Sequence, residues 1–222
     1  MAPVLLLLAA ISACRKPPEP PAETKPAATK PASQDSVPDS GLASSVAAIL
    51  HAAHRSGSLV YRADCGPQSR FTEVYPLNPP VAPEPMDQSL AEITRRYPNL
   101  QWKETAAGRV TITDRSARAG LLQVRIPEFI IIDDRDPDDV ITTIWKTPEV
   151  KSFLRKNRLR LAPSPKRAAR RTRGPAVVHL KKATVAEILD AILVSYKDGA
   201  SRVWVYRECH GKGPALAEVR VM

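Results

Sequence analysis

Aromatic residues are scarce in this 222-residue chain, with three Phe, three Trp and five Tyr making up 5% of it. The interior therefore has to be built from aliphatic side chains. Long apolar runs are lacking as well. The run at the start, Met1 to Cys14, falls short of the roughly 20 residues that a membrane-spanning helix needs, and 25% charged residues argue against a polytopic membrane protein. There is no Gly-x-Ser-x-Gly elbow, Ser-x-x-Lys pair, zinc-protease helix or phosphate loop. No catalytic residue, cofactor or metal site is therefore expected, and a non-catalytic role is.

What is present is an ordinary globular share of hydrophobic residues, 43%, an excess of proline at 22 residues, and a formal net charge of +10. The charge is local. Lys151 to Arg173 holds ten basic residues and no acidic one, and the rest of the chain balances to zero.

The apolar run has the length of a signal-peptide h-region. Its ending, Ile11-Ser12-Ala13-Cys14, resembles a bacterial lipobox, although no Lys or Arg precedes the run. The resemblance implies that 1–13 is a signal peptide and that Cys14 is acylated, becomes the mature N-terminus and holds the chain in a membrane. From 14 to 41 the chain is rich in Pro, Ala and Lys, with almost no large apolar residue. Such a segment cannot bury enough surface to offset its ordering entropy. Pro17, Pro18, Pro20, Pro21, Pro26, Pro31 and Pro38 bias it toward a semi-rigid spacer reaching roughly 80 Å at about 3.1 Å per residue. A cell-envelope location follows, on the periplasmic side and at the outer membrane.

Beyond Gly41 the pattern becomes periodic and predicts an α+β region over 42–162. Val46, Ile49, Leu50 and Ala53 share one helical face. Ser58 to Arg62 reads as a strand, a turn follows at Cys65-Gly66-Pro67, and Phe71 to Tyr75 is a second strand. An echo occurs near the C-terminus. Thr184 and Glu187 form a Thr-x-x-Glu capping box, Val203 to Arg207 is a strand, and Leu216 to Val221 follows a Gly-rich turn. Both copies spell Val-Ala-x-Ile-Leu-x-Ala on the helix and Val-Tyr-Arg on the strand. A third, weaker copy has a helix capped by Asp87 and a hairpin, Leu100 to Glu104 with Arg109 to Thr113. The fold class expected is α+β, with repeated helix–strand–strand, βαβ-like units and antiparallel hairpins. Leu121 to Ile126 and Phe129 to Ile132 are strand-like, with a break or bulge at Pro127. Asp138 to Trp145 and Pro148 to Asn157 read as short helices.

Val177 to Leu193, with Val203 to Tyr206, resembles the short N-terminal module of secretins and TonB-dependent receptors. The resemblance implies that 176–222 is a small periplasmic βαβ unit that meets partner proteins and packs with the first region.

With Cys14 assigned to lipid, Cys65 and Cys209 remain, at nearly equivalent places in the two copies. In an oxidising compartment an even count points to a disulfide, with two free buried thiols as the alternative. Asp133 to Asp139 has carboxylates at alternate positions, as a calcium loop does. Asp136 as N-cap, with Pro137 at the first helical position, describes a helix start instead. His51 and His54 stand one turn apart without an evident third ligand, and His210 adjoins a cysteine assigned to the bridge.

The segment 163–175 is a basic, Pro-bounded linker. Its Lys166, Arg167, Arg170, Arg171 and Arg173 are candidates for an anionic partner such as lipid head groups or lipopolysaccharide phosphates, and no nucleic acid is expected, since no aromatics interleave for base stacking. The function expected is a membrane-anchored envelope lipoprotein whose α+β domain binds an envelope protein, as an accessory to secretion or uptake. An exported enzyme with a scattered site and a binder of anionic envelope surfaces remain as alternatives.

Overall fold

The computed structural model describes residues 41–66, 70–72, 74–77, 81–83, 85–105, 108–133, 136–162, 176–196, 199–209 and 215–222. Cys14, the tether, Lys166, Arg167, Arg170, Arg171, Arg173 and His210 lie outside them.

Helix α1 (Leu42–Ala52) leads into strand β1 (Gly57–Arg62), followed by the short strands β2 (Asp64–Gly66) and β3 (Arg70–Thr72). Next come α2 (Met86–Arg96), β4 (Leu100–Glu104), β5 (Val110–Asp114), a 3₁₀ turn at Gly120–Gln123 and the long strand β6 (Arg125–Asp133). Two short helices, α3 (Pro137–Ile141) and α4 (Pro148–Lys156), precede β7 (Leu159–Leu161), and the chain ends with β8 (Ala176–Thr184), α5 (Val185–Ser195), β9 (Val203–Cys209) and β10 (Ala215–Val221).

Six strands form one mixed sheet in the order β4-β5-β1-β9-β10-β7. The hairpins β4–β5 and β9–β10 are antiparallel, whereas β1 runs parallel to both β5 and β9. Strand alternation turns this sheet into the middle of three layers. On one face Leu59, Tyr61, Val110, Ile112, Val203 and Val205 pack against Val46, Ile49 and Leu50 of α1 and Leu90 and Ile93 of α2. On the other, Val60, Trp204, Tyr206, Val219 and Val221 meet Ile188, Leu189 and Ile192 of α5, together with α3, α4 and the inner side of a β6–β8 ribbon. Burying a Leu or Ile completely stabilises by about 1.5 to 3 kcal/mol, and the aliphatic core expected from so few aromatics is what fills both interfaces.

Gly57 is required by close approach. A Cβ there would stand 2.2 Å from the Val110 carbonyl oxygen and 2.9 Å from Leu50 Cδ1, so only glycine lets α1 and β5 converge on the start of β1. At the β4–β5 turn, Gly108 adopts φ 71°, a left-handed conformation that glycine takes without steric cost. Asp190 of α5 fastens that helix to the sheet by accepting hydrogen bonds from Trp204 Nε1 at 2.6 Å and Arg109 Nη2 at 2.5 Å.

Several expectations from local pattern are corrected. The segment from Leu121 is a 3₁₀ turn rather than a strand. Leu121 and Leu122 enter the same core cluster, which neighbours on a strand, facing opposite ways, could not do. Strand β6 runs through Pro127 without ending. The missing N–H is tolerated because a two-stranded ribbon has open edges, but the pleat slips there. Ile126 and Phe129, three residues apart, are both buried, and Lys182, which pairs with neither neighbour of Pro127, takes φ 52°. The helix expected from Asp138 to Trp145 is divided into α3 and a 3₁₀ turn at Ile144–Lys146. Thr142 and Thr143 hydroxyls donate to the Asp139 and Val140 carbonyls between them, a local bonding pattern that weakens helix continuation. Asp87 lies in the first turn of α2, and Pro85 takes the cap position.

The second strand of the first repeat is β3, Arg70–Thr72, and it pairs with β2 outside the main sheet. The echoed strands β1 and β9 are parallel neighbours in the main sheet. Their register sets Val60 against Tyr206 and Tyr61 against Arg207, one residue out of step with the repeated Val-Tyr-Arg. Tyr61 and Tyr206 therefore face opposite layers. Strand β8 does not join β9. It pairs with β6 in a separate antiparallel ribbon, so the β8–α5–β9 stretch is not a single βαβ sheet, and the residues on either side of the basic linker share one six-stranded sheet.

The Thr184–Glu187 capping box is present. Thr184 Oγ1 accepts from the Glu187 N–H, and the Glu187 carboxylate accepts from the Thr184 N–H at 2.7 Å and holds its pKa below the ordinary value. Thr184→Ala should cost about 1 kcal/mol, read as a fall in the chemical-denaturation midpoint with an unchanged slope; no change would mean that the box is redundant with α5 packing.

Candidate interaction surfaces

Cys65 on β2 and Cys209 on β9 form a disulfide, with 5.2 Å between their Cα atoms and 144 residues between them in sequence. The bridge fixes the β2–β3 ribbon over the end of the central strand. Beneath the ribbon the Arg207 guanidinium lies 4.5 Å from the Phe71 ring centroid and pairs with Glu218. Burial alone would lower the Arg207 pKa, but the Glu218 carboxylate and Tyr61 outweigh it and the pKa is raised.

Two carboxylates are fully buried at strand ends. Asp114 Oδ2 accepts from Tyr75 Oη at 2.6 Å and from the Arg62 N–H at 3.1 Å, and its Oδ1 accepts from the Ser116 N–H at 2.7 Å and hydroxyl at 2.6 Å. Burial pushes its pKa up, but these bonds prevail and the net direction is down. Burial and the adjacent carboxylate raise the Tyr75 pKa far above the ordinary tyrosine range, so it remains a neutral donor. Glu208 is held in a similar way. Its Oε1 accepts from the Arg118 and Ala119 N–H groups and its Oε2 from Tyr206 Oη at 2.6 Å. Both carboxylates are committed to structural donors. Glu208 borders a cavity of about 170 Å³ next to Phe153 and Asn157, smaller than the several hundred Å³ of a typical ligand pocket.

The Asp133 to Asp139 run takes the helix-start form. Asp136 accepts from the Asp138 N–H at 3.0 Å, Pro137 is the first helical residue, and Asp138 Oδ1 accepts from the Val221 N–H at 2.7 Å. His51 is exposed in the last turn of α1, while His54 lies past the helix end at φ 53°, so the two do not stand one turn apart on a helix. Among the described residues no three His, Cys, Asp or Glu side chains are grouped to hold a metal ion, and no helix is long and apolar enough to cross a membrane.

Two surfaces stand out. On the outer face of the β6–β8 ribbon, Ile130, Ile132 and Val177 are 61%, 73% and 59% exposed, with Ile132 directly opposite Val177. The same face continues into a polar end where His179 Nε2 lies 3.0 Å from Glu128 Oε1. Sequence reading identified the strands but not this surface, because a continuous apolar run such as Phe129 to Ile132 does not say which side is covered. The second surface is basic. Lys151, Arg155, Lys156, Arg158 and Arg160, the described part of the positive stripe, are all exposed on α4, the following turn and β7. No family model matches the chain, and no curated protein or solved structure matches it either.

Proposed function

We propose that this chain is a membrane-anchored envelope lipoprotein whose α+β domain binds another envelope protein and performs no chemistry of its own. The observation that carries the reading is how the three cysteines divide. Cys65 and Cys209 are bonded to each other, which suits an oxidising compartment. Cys14 is left as the unmatched thiol, directly behind Ile11-Ser12-Ala13 and ahead of the Pro-rich tether. Several acyl chains on one cysteine, at about 0.8 kcal/mol per buried methylene, make a stable anchor. The open Ile130–Ile132–Val177 face supports the binding part, since exposed apolar patches with polar rims are characteristic of contact sites.

The test is metabolic labelling with a fatty-acid analogue in a bacterial host. The wild-type chain should carry the label, and Cys14→Ser should not. Equal labelling of the two would overturn the anchor, and with it the envelope assignment.

A further inference from the structure

Five cations lie together on α4, the turn after it and the sheet edge, and among the described residues none of them is paired with a carboxylate. On α4 the buried side is Val150 with Phe153 and Leu154. At about 100° per residue, the side facing solvent is then Lys151, Ser152, Arg155 and Lys156, and all four are exposed. Arg158 extends the cluster at the turn, in a left-handed conformation with φ 50°. Arg160 is exposed on β7, the last strand of the sheet, where Leu159 alone of the two residues preceding Leu161 is buried. None of the five makes an ion pair among the described residues, and Glu149, half-buried in the first turn, is the one acid of α4.

A solvated charged face is ordinary where signs alternate. Here they do not, and self-repulsion among uncompensated cations is relieved by an anionic counter-surface. From the geometry we infer that the α4–β7 corner docks the folded domain against an anionic bilayer, its lysines and arginines meeting phosphate head groups. The inference rests on the anchor proposed above, which supplies the occupant: a bilayer at the end of a tether of roughly 80 Å is always within reach. Tethering also raises the effective concentration, so a weak contact at each cation is enough. The domain would then lie on the membrane through α4, with the apolar outer face of the β6–β8 ribbon left for a protein.

The probe is the chain from residue 14 onward carrying Cys14→Ser, which has neither the apolar leader nor acyl chains, mixed with phosphatidylglycerol-containing vesicles or with neutral phosphatidylcholine vesicles. Binding is expected to the anionic vesicles alone and to weaken steeply as salt is raised. Adding Lys151→Gln, Arg155→Gln and Lys156→Gln should weaken it on the order of a hundredfold. A matched triple variant elsewhere, Lys103→Gln, Arg115→Gln and Lys181→Gln, should change it by no more than about threefold. Equal losses in the two triple variants, equal binding to neutral vesicles, or no vesicle binding at all would overturn the inference, the last pointing to an acidic protein instead. Because the probe is unlipidated, the result is independent of whether Cys14 is acylated in cells.

Discussion

Replacing Cys65 and Cys209 together by alanine is expected to lower the free energy of unfolding by about 5 kcal/mol. The bridge spans 144 residues, and in the chain-entropy model a closed loop of that length restricts the unfolded ensemble by about that amount at room temperature. Alanine is preferred to serine because Cys209 is fully buried, and a hydroxyl there would add an unsatisfied polar group. For a domain of this size the loss corresponds to a fall in Tm of about 10 to 20 °C. The check is thermal and denaturant unfolding of the double variant beside the wild type with and without reductant. Reduced wild type and double variant should coincide. If both unfold with the oxidised protein, the bridge adds nothing. The damage should begin at β2–β3, since that ribbon lies outside the main sheet and the disulfide is its covalent tie to β9.

Asp114→Ala should cost about 3 to 5 kcal/mol, the second-largest single effect. Its carboxylate receives four hydrogen bonds, from Tyr75, Arg62 and twice from Ser116, and truncation strands those donors in a site that water scarcely reaches. Asp114→Asn should fall between, because an amide keeps one acceptor but turns an N–H group toward a backbone N–H, that of Arg62 or that of Ser116. The same site gives stability a pH dependence of definite sign. The folded-state pKa lies below its ordinary value, so the native state holds the proton less tightly than the unfolded chain. The contribution is complete above the unfolded value of about 3.9 and fades as the pH falls through the folded one. Denaturation midpoints measured between pH 7 and acid should drop for wild type and drop less for Asp114→Asn. Parallel profiles would mean that other carboxylates control the acid limb.

Much of the local structure could be read from the residues, since each such element carries its own signal. The α5 capping box, the Asp136-Pro137 start of α3 and the β4–β5 hairpin around Gly108 all follow from side chains bonding or turning within a few positions. The disulfide was accessible by counting, once Cys14 was set aside. What local pattern could not supply is which strands meet. Nothing in Val177 to Leu180 distinguishes a ribbon with β6 from a place beside β9. The repeated Val-Tyr-Arg suggests equivalent positions, while packing on two opposite faces placed the copies one residue out of register. The buried carboxylates had no full sequence signature either, because the local donors Ser116 and Tyr206 are joined at Asp114 and Glu208 by donors brought from 39 to 90 residues away. The basic stripe was visible as composition, but its division into an α4 face, a turn and a sheet edge depends on which side of α4 is buried.

The central place of β9 has a consequence for the order of folding. Strand β1 pairs along its whole length with β9, from Gly57 opposite Val203 to Arg62 opposite Glu208, and β10 and β7 are attached to the sheet only through β9. A chain appearing from its N-terminal side can assemble α1, β1, α2 and the β4–β5 hairpin, but half of the sheet waits for Val203 to Val221. Such long-range pairing makes for slow folding. For a chain exported as the lipoprotein proposed above would be, that delay has a use: neither the sheet nor the disulfide that locks it can close until Val203 to Cys209 has joined the rest.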